Sequence, residues 1–211
     1  MTLRLNGSTS GYAEIDAPAV AGSNTLLLPA SNGSAYQFLR NGATAGTTEF
    51  AAAITSGTAV ASTSGTSIDF TSIPSYVKRV TVMFNLVSIS GSSQIQVQIG
   101  SGSVTTTGYS SIGAVAGGAN AAVGTAITTG FIGWGGDPGN FFSASCVITL
   151  LTATTYTAAI AGGVNQSGAT FYSFASGGSS PVLSGALDRV RITTVNGTDT
   201  FDNGTINILY E

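Results

Sequence analysis

A chain of 211 residues in which only 7% of positions are charged, with a net charge of −3, lies far from the roughly 25% charged content of ordinary soluble proteins. It has no histidine and a single cysteine, which excludes an intrachain disulfide and removes the usual side chain for proton transfer near neutral pH. Its six basic residues form no cluster beyond a pair and no window is apolar enough to span a bilayer, so neither nucleic acid nor membrane is an expected partner.

Taken in chain order, the opening Met1–Gly7 stretch lacks the apolar run of a signal peptide, and synthesis in a cytoplasm is expected. The patches Tyr12–Ile15, Leu26–Leu28 and Phe38–Leu39 follow, separated by Gly, Ser, Asn and Pro. None of them can bury itself within so short a segment. Residues 1–52 are therefore read as an extended N-terminal oligomerisation or attachment segment, which either lies on the second domain or, the favoured alternative, wraps around copies of itself from neighbouring chains. The best helix signal, Glu49–Ile54, amounts to one turn. A boundary is expected around residues 50–57, with a second domain over 53–211.

From there, strand patterns dominate. Val80, Val82, Phe84 and Leu86 form one apolar stripe, opposed by Thr81, Met83 and Asn85. Gln94–Ile99 alternates without error, with Ile95, Val97 and Ile99 on one face and three glutamines on the other. Phe142, Ala144, Cys146, Ile148 and Leu150 share a phase, which makes Cys146 a buried core residue rather than a reactive thiol. Arg189–Thr193 turns Val190 and Ile192 inward and both arginines outward, and Ile206, Ile208 and Tyr210 point inward from the last strand. Turn clusters such as Ser90–Ser93, Gly135–Asn140 and Asn196–Gly197 separate these runs. Nine or ten short strands at roughly 8–12-residue spacing predict an all-β, antiparallel, jelly-roll-like β-sandwich. Its polar strand faces should be solvated or meet another polar surface. A surface so poor in charge has little protection against self-association, which points to an obligate oligomer.

Chemistry-bearing constellations are few. Asp137, in Gly135-Gly-Asp-Pro-Gly139, reads as a turn residue, and Asp199 with Asp202 misses the ligand spacing of a calcium loop. On one strand face, Arg189 and Arg191 are explained by a cross-strand ion pair or an intersubunit contact. No two carboxylates can be nominated for glycosidase-type work. Five Asn-x-Ser/Thr sequons occur, and those at Asn6, Asn32, Asn196 and Asn203 are Asn-Gly pairs best read as turns. Trp134, Phe131, Phe141 and Phe142 flank the Asp137 loop, and Tyr172 lies in another Gly-rich stretch. Trp134, Asp137, Phe141 and Tyr172 are accordingly the candidate adhesive contacts, set against the alternative that the aromatics are core. No catalytic, cofactor-binding or metal residue is nominated.

Three stretches carry a resemblance. Leu5–Pro29, beginning Leu5-Asn-Gly-Ser-Thr-Ser-Gly-Tyr12, is similar to a module of tail-fibre-like proteins of tailed bacteriophages, especially aquatic and cyanobacterial ones. Gly33–Gly46 is similar to the stretch that commonly follows it. Ser67–Phe84 resembles the opening, and Leu187–Glu211 the close, of a domain recurring in the same proteins. The resemblance implies a homotrimeric virion structural protein with no catalytic residue. Its partners would be its own copies, other virion proteins of tail or capsid, and a host-surface glycan or protein. The chain carries no long shaft, so a capsid decoration (cement) protein stands beside the short tail-fibre or appendage reading. A polysaccharide depolymerase is the third alternative.

Overall fold

The computed structural model describes residues 3–117, 120–135, 137–166 and 170–211. The chain divides into two compact units, Met1–Ala53 and Ile54–Glu211.

The first unit consists of two β-hairpins joined by irregular chain. Strands β1 (Leu3–Asn6) and β2 (Tyr12–Ile15) pair antiparallel, with Leu3 opposite Ile15, Arg4 opposite Glu14 and Leu5 opposite Ala13. Alternation along a strand therefore places Leu3, Leu5, Ala13 and Ile15 on one face. The other face carries Arg4, which pairs with Glu14 and stacks over the Tyr12 ring at 4.1 Å. Strands β3 (Phe38–Asn41) and β4 (Thr48–Ala51) form the second hairpin, with Leu39 opposite Phe50. The expected helical turn at Glu49–Ile54 is thus corrected: residues 48–51 are extended. Glu49 meets Arg40 directly across the pair in an ion pair at 2.9 Å, a partner that one helical turn could not supply. No described residue of this unit is buried.

The second unit is an all-β sandwich of antiparallel sheets, without a helix among the described residues. Its first strands are β5 (Thr55–Ser56), β6 (Val60–Ala61), β7 (Ser67–Phe70), β8 (Arg79–Ile89), β9 (Gln94–Ser101), β10 (Ser103–Val104) and β11 (Ser110–Gly117). There follow β12 (Asn120–Ile127), β13 (Phe131–Gly135), β14 (Phe141–Thr152), β15 (Thr155–Gln166), β16 (Thr170–Ser179), β17 (Arg189–Thr194) and β18 (Phe201–Tyr210). Eleven of these have four residues or more, where nine or ten were expected. A nine-stranded sheet runs β12-β11-β16-β15-β14-β8-β18-β5, with β6 also on β18. A five-stranded sheet runs β10-β9-β17-β7, with β13 also paired to β9.

The core lies where the apolar stripes of the two sheets meet. Ile95, Val97, Ile99, Val190, Ile192 and Phe131 come from the smaller sheet; Val82, Phe84, Phe142, Cys146, Ile160 and Ile206 come from the larger. Tyr109 is buried among them, its ring edge-on to Phe131 at 5.1 Å. Its hydroxyl accepts from the Ile99 amide at 2.9 Å and donates to the Thr105 carbonyl at 2.9 Å. Along one side, β13 closes the sandwich through side chains rather than a ladder. Ser111 Oγ accepts from the Ile132 amide (2.9 Å) and Ser176 Oγ donates to the Ile132 carbonyl (2.6 Å), satisfying backbone groups that burial would otherwise strand.

The stripe expected through Leu86 breaks there. Phe84 is buried, Leu86 is exposed, and Val87 and Ile89 are buried instead. A bulge shifts the register between the β14 partners of Phe84 and Val87, and Leu86 adopts a positive φ of 51°. Gly204 of the facing β18, itself at φ 101°, permits this. A Cβ on it would stand 2.5 Å from the Leu86 carbonyl oxygen. The Asn203 side-chain amide donates to that same carbonyl at 2.7 Å.

Candidate binding site

Of the four nominated contact residues, Asp137 is exposed, while Trp134, Phe141 and Tyr172 are each half-buried. Phe84, Phe142, Phe174 and Trp134 form a chain of ring contacts through the core, with centroids 5.3, 5.7 and 6.2 Å apart in that order. Trp134 is half-buried at its end, and its indole N–H is buried without a hydrogen-bond partner. Tyr172 is also half-buried against the core, with its hydroxyl donating to Gln166 Oε1 at 3.3 Å. Phe141 is half-buried on β14. Asp137 is exposed at the start of a turn closed by the Asn140 amide donating to the Asp137 carbonyl at 3.2 Å.

The other charged groups are largely engaged with one another. Arg191 and Asp69 stand opposite across β17 and β7 and pair through two bonds of 2.7 and 2.8 Å. That answers the expectation for Arg191: the cross-strand ion pair is intramolecular. The hydrogen bonds that Arg191 donates to Asp69 raise the Arg191 pKa above its usual value. Arg189 bonds Asp188 at 2.7 Å and holds that carboxyl below the ordinary range. Arg79 pairs with Glu211. Asp199 accepts from the Ser93 amide (3.0 Å) and from Asn196 Nδ2 (2.8 Å) and so braces a turn, while Asp202, on β18, accepts from Ser88 on β8. Among the described residues no group of three His, Cys, Asp or Glu side chains could hold a metal ion.

A concave feature lies on the outer face of the smaller sheet. Cross-strand register sets Ser67, Thr193 and Gln96 side by side in one row, and Asp69, Arg191 and Gln98 in the next. A trough of about 340 Å³ opens above them, walled by Thr106, Thr129 and the Asn196–Gly197 turn. Gln96 and Gln98 are only 3% and 4% exposed, so of the two fates expected for this polar face, solvent or another polar surface, they meet the second. The cover is the chain entering β13. Thr129 Oγ1 donates to Gln96 Oε1 at 2.7 Å, and the Thr129 carbonyl accepts from Gln98 Nε2 at 2.9 Å. Gln96 Nε2 donates to the Thr194 carbonyl at 3.1 Å. The approach needs a glycine after Thr129, because a Cβ on Gly130 would sit 2.8 Å from Gln96 Oε1.

No known protein family, curated protein or solved structure matches the chain. Its function must therefore be argued from its own surfaces. The trough residues carried a sequence signal, the unbroken Gln-x-Gln-x-Gln alternation of β9, but that pattern does not say which loop folds over it.

Proposed function

We propose that the protein is a bacteriophage virion structural protein of the short tail-fibre or appendage type, acting by binding as a homotrimer. One observation carries the reading. The first hairpin presents Leu3, Leu5 and Ile15 at 59%, 56% and 64% exposure on a single face, in a unit with no buried described residue. An isolated two-stranded hairpin is marginal in water, and apolar side chains gathered on one face mark an association surface. Leu26, Leu27, Leu28, Phe38 and Leu39 are likewise exposed in the same unit. Copies of the chain are the occupants that cover these faces in every assembled particle. The sandwich that follows supplies the binding surface, and pairing of Arg79, Arg189 and Arg191 with carboxylates favours contact over catalysis.

A capsid decoration role is the second reading, since the same bare apolar face of the first hairpin could dock on a capsid shell. Gold-labelled antibody on the phage particles that carry the protein separates the two. Label confined to the tail region is expected; label spread over the head assigns the protein to the capsid; label absent from the particle overturns both.

A further inference from the structure

We propose that Asn32 is a site of spontaneous covalent modification, where closure of the Gly33 nitrogen on the Asn32 amide yields aspartate and isoaspartate. Asn-Gly is the pair most open to this chemistry, because glycine has no side chain to shield or restrain the attacking nitrogen. The sequence holds such pairs at Asn6, Asn32, Asn41, Asn196 and Asn203, and the fold restrains all but one of them. The amides of Gly7, Gly42 and Gly197 donate to the carbonyls of Gly11 (2.9 Å), Thr47 (2.9 Å) and Thr194 (3.1 Å). An N–H held in this way must break its bond before the nitrogen can lose its proton and turn on the preceding side chain. Asn196 is held a second time: its Nδ2 donates to Asp199, and its Oδ1 accepts from Thr194, Thr198 and Asp199. Asn203 lies on β18, where its side-chain amide is tied to the Leu86 carbonyl at 2.7 Å.

Asn32 has neither restraint. Among the described residues no hydrogen bond is made by its side chain or by the Gly33 N–H, and both residues are exposed in irregular chain. Position 33 also has no room for a residue that would shield the nitrogen, since a Cβ there would stand 2.5 Å from Phe50 Cγ. The step balances with water as its co-reactant. The Gly33 nitrogen gives its proton to hydroxide and bonds to Asn32 Cγ. The Cγ–Nδ2 bond breaks, the departing nitrogen takes a proton from water and leaves as ammonia, and a succinimide ring remains. Water then opens the ring. Attack at Cγ returns an ordinary chain with aspartate; attack at the main-chain carbonyl carbon reroutes the chain through the former side chain as isoaspartate. Either product adds a negative charge to the net −3, and isoaspartate also lengthens the main chain by a carbon beside the Phe50 ring.

The test is peptide mapping of the intact protein after incubation at neutral and at mildly alkaline pH, with a urea-unfolded sample beside it. Tryptic peptides 5–40, 41–78 and 192–211 carry the five pairs, and fragmentation tells Asn6 from Asn32 and Asn196 from Asn203. In the native protein Asn32 should convert at least about tenfold faster than each of the others, the share of one hydrogen bond. In urea the five rates should converge. Alkali should speed conversion in proportion to hydroxide, and Asn32→Gln should abolish it at that position while leaving the other four unchanged. Native conversion at Asn32 no faster than elsewhere, the same ranking in urea, or a rate indifferent to pH overturns the assignment. It does not rest on the homotrimer. A monomer that converts at Asn32 would sink the trimer and leave the site standing, and a trimer that spares Asn32 would do the reverse.

Discussion

Leu3 stands directly across the first hairpin from Ile15, and both side chains face solvent in the single chain. Beside them Leu5 faces Ala13, while the opposite face is held by the Arg4–Glu14 pair. The hairpin is thus amphipathic, and no described residue of its own unit buries the apolar side. Each leucine or isoleucine brought out of water at such a face contributes about 1.5–3 kcal/mol.

Leu5→Ser should therefore weaken self-association by at least about tenfold, since a serine returns that share to water. Sedimentation velocity over a dilution series checks it. The variant should dissociate at concentrations where the parent does not, with the sandwich's melting transition unchanged. Arg4→Gln, on the opposite face, should alter association little, because exposed ion pairs contribute about 0–1 kcal/mol.

Trp134 sits at the end of the ring chain that runs through Phe174 and Phe142 to Phe84. Its removal should act on stability. Trp134→Ala is expected to lose about 2–3 kcal/mol, somewhat under the figure for a fully buried ring. Trp134→Phe keeps the ring contact and deletes an N–H that has no partner, so it should fall within about 1 kcal/mol of the parent. Urea unfolding of the two variants distinguishes these outcomes. Equal losses would show that the indole N–H finds a partner.

Cys146 lies fully buried in β14, opposite Ile160 and Val82 on its two neighbours. Burial raises its thiol pKa well above the usual value, so the thiolate that reacts is suppressed. Ellman's reagent should label the native protein negligibly over hours and label it fully once denatured. Rapid labelling of the native state would contradict the packing of β14.

The pH dependence of stability follows from three groups. Asp188 is held low by its hydrogen bond from Arg189, so its contribution is complete above its ordinary value of 3.8 and drains away as pH falls below it. Burial raises Tyr109 from 10.0 to about 12 and raises Cys146 above 9.0. Both folded forms hold their protons more tightly than the unfolded chain, so stability falls as pH climbs through about 9 and beyond. With no histidine in the chain, the melting temperature should be flat between about pH 5 and 8. Calorimetry across pH 3–11 would show a plateau with two shoulders; a midpoint near pH 6.5 would contradict this.

Where side-chain alternation runs unbroken, the sandwich was readable from sequence. Val80, Val82 and Phe84, Ile95, Val97 and Ile99, Phe142, Cys146 and Ile148, and Ile206 with Ile208 are all buried in the expected phase, with Ala144 and Leu150 partly so. Leu86 was not readable, because its bulge depends on Gly204, more than a hundred residues away on β18. The burial of Gln96 and Gln98 was likewise hidden, since it depends on Thr129 and Gly130 crossing the sheet face. Arg191 could be placed outward from its strand phase, but choosing Asp69 as its partner needed the β17–β7 register. The short Glu49–Ile54 signal misled because a run of alanines favours helix locally, while Arg40 and Leu39 offer cross-strand partners.

Light scattering coupled to size exclusion, at micromolar protein, tests whether copies of this chain cover one another's hairpins. A single species at three times the 21.0 kDa chain mass is the predicted result. A 21.0 kDa monomer, stable in solution with Leu3, Leu5 and Ile15 still bare, would contradict it.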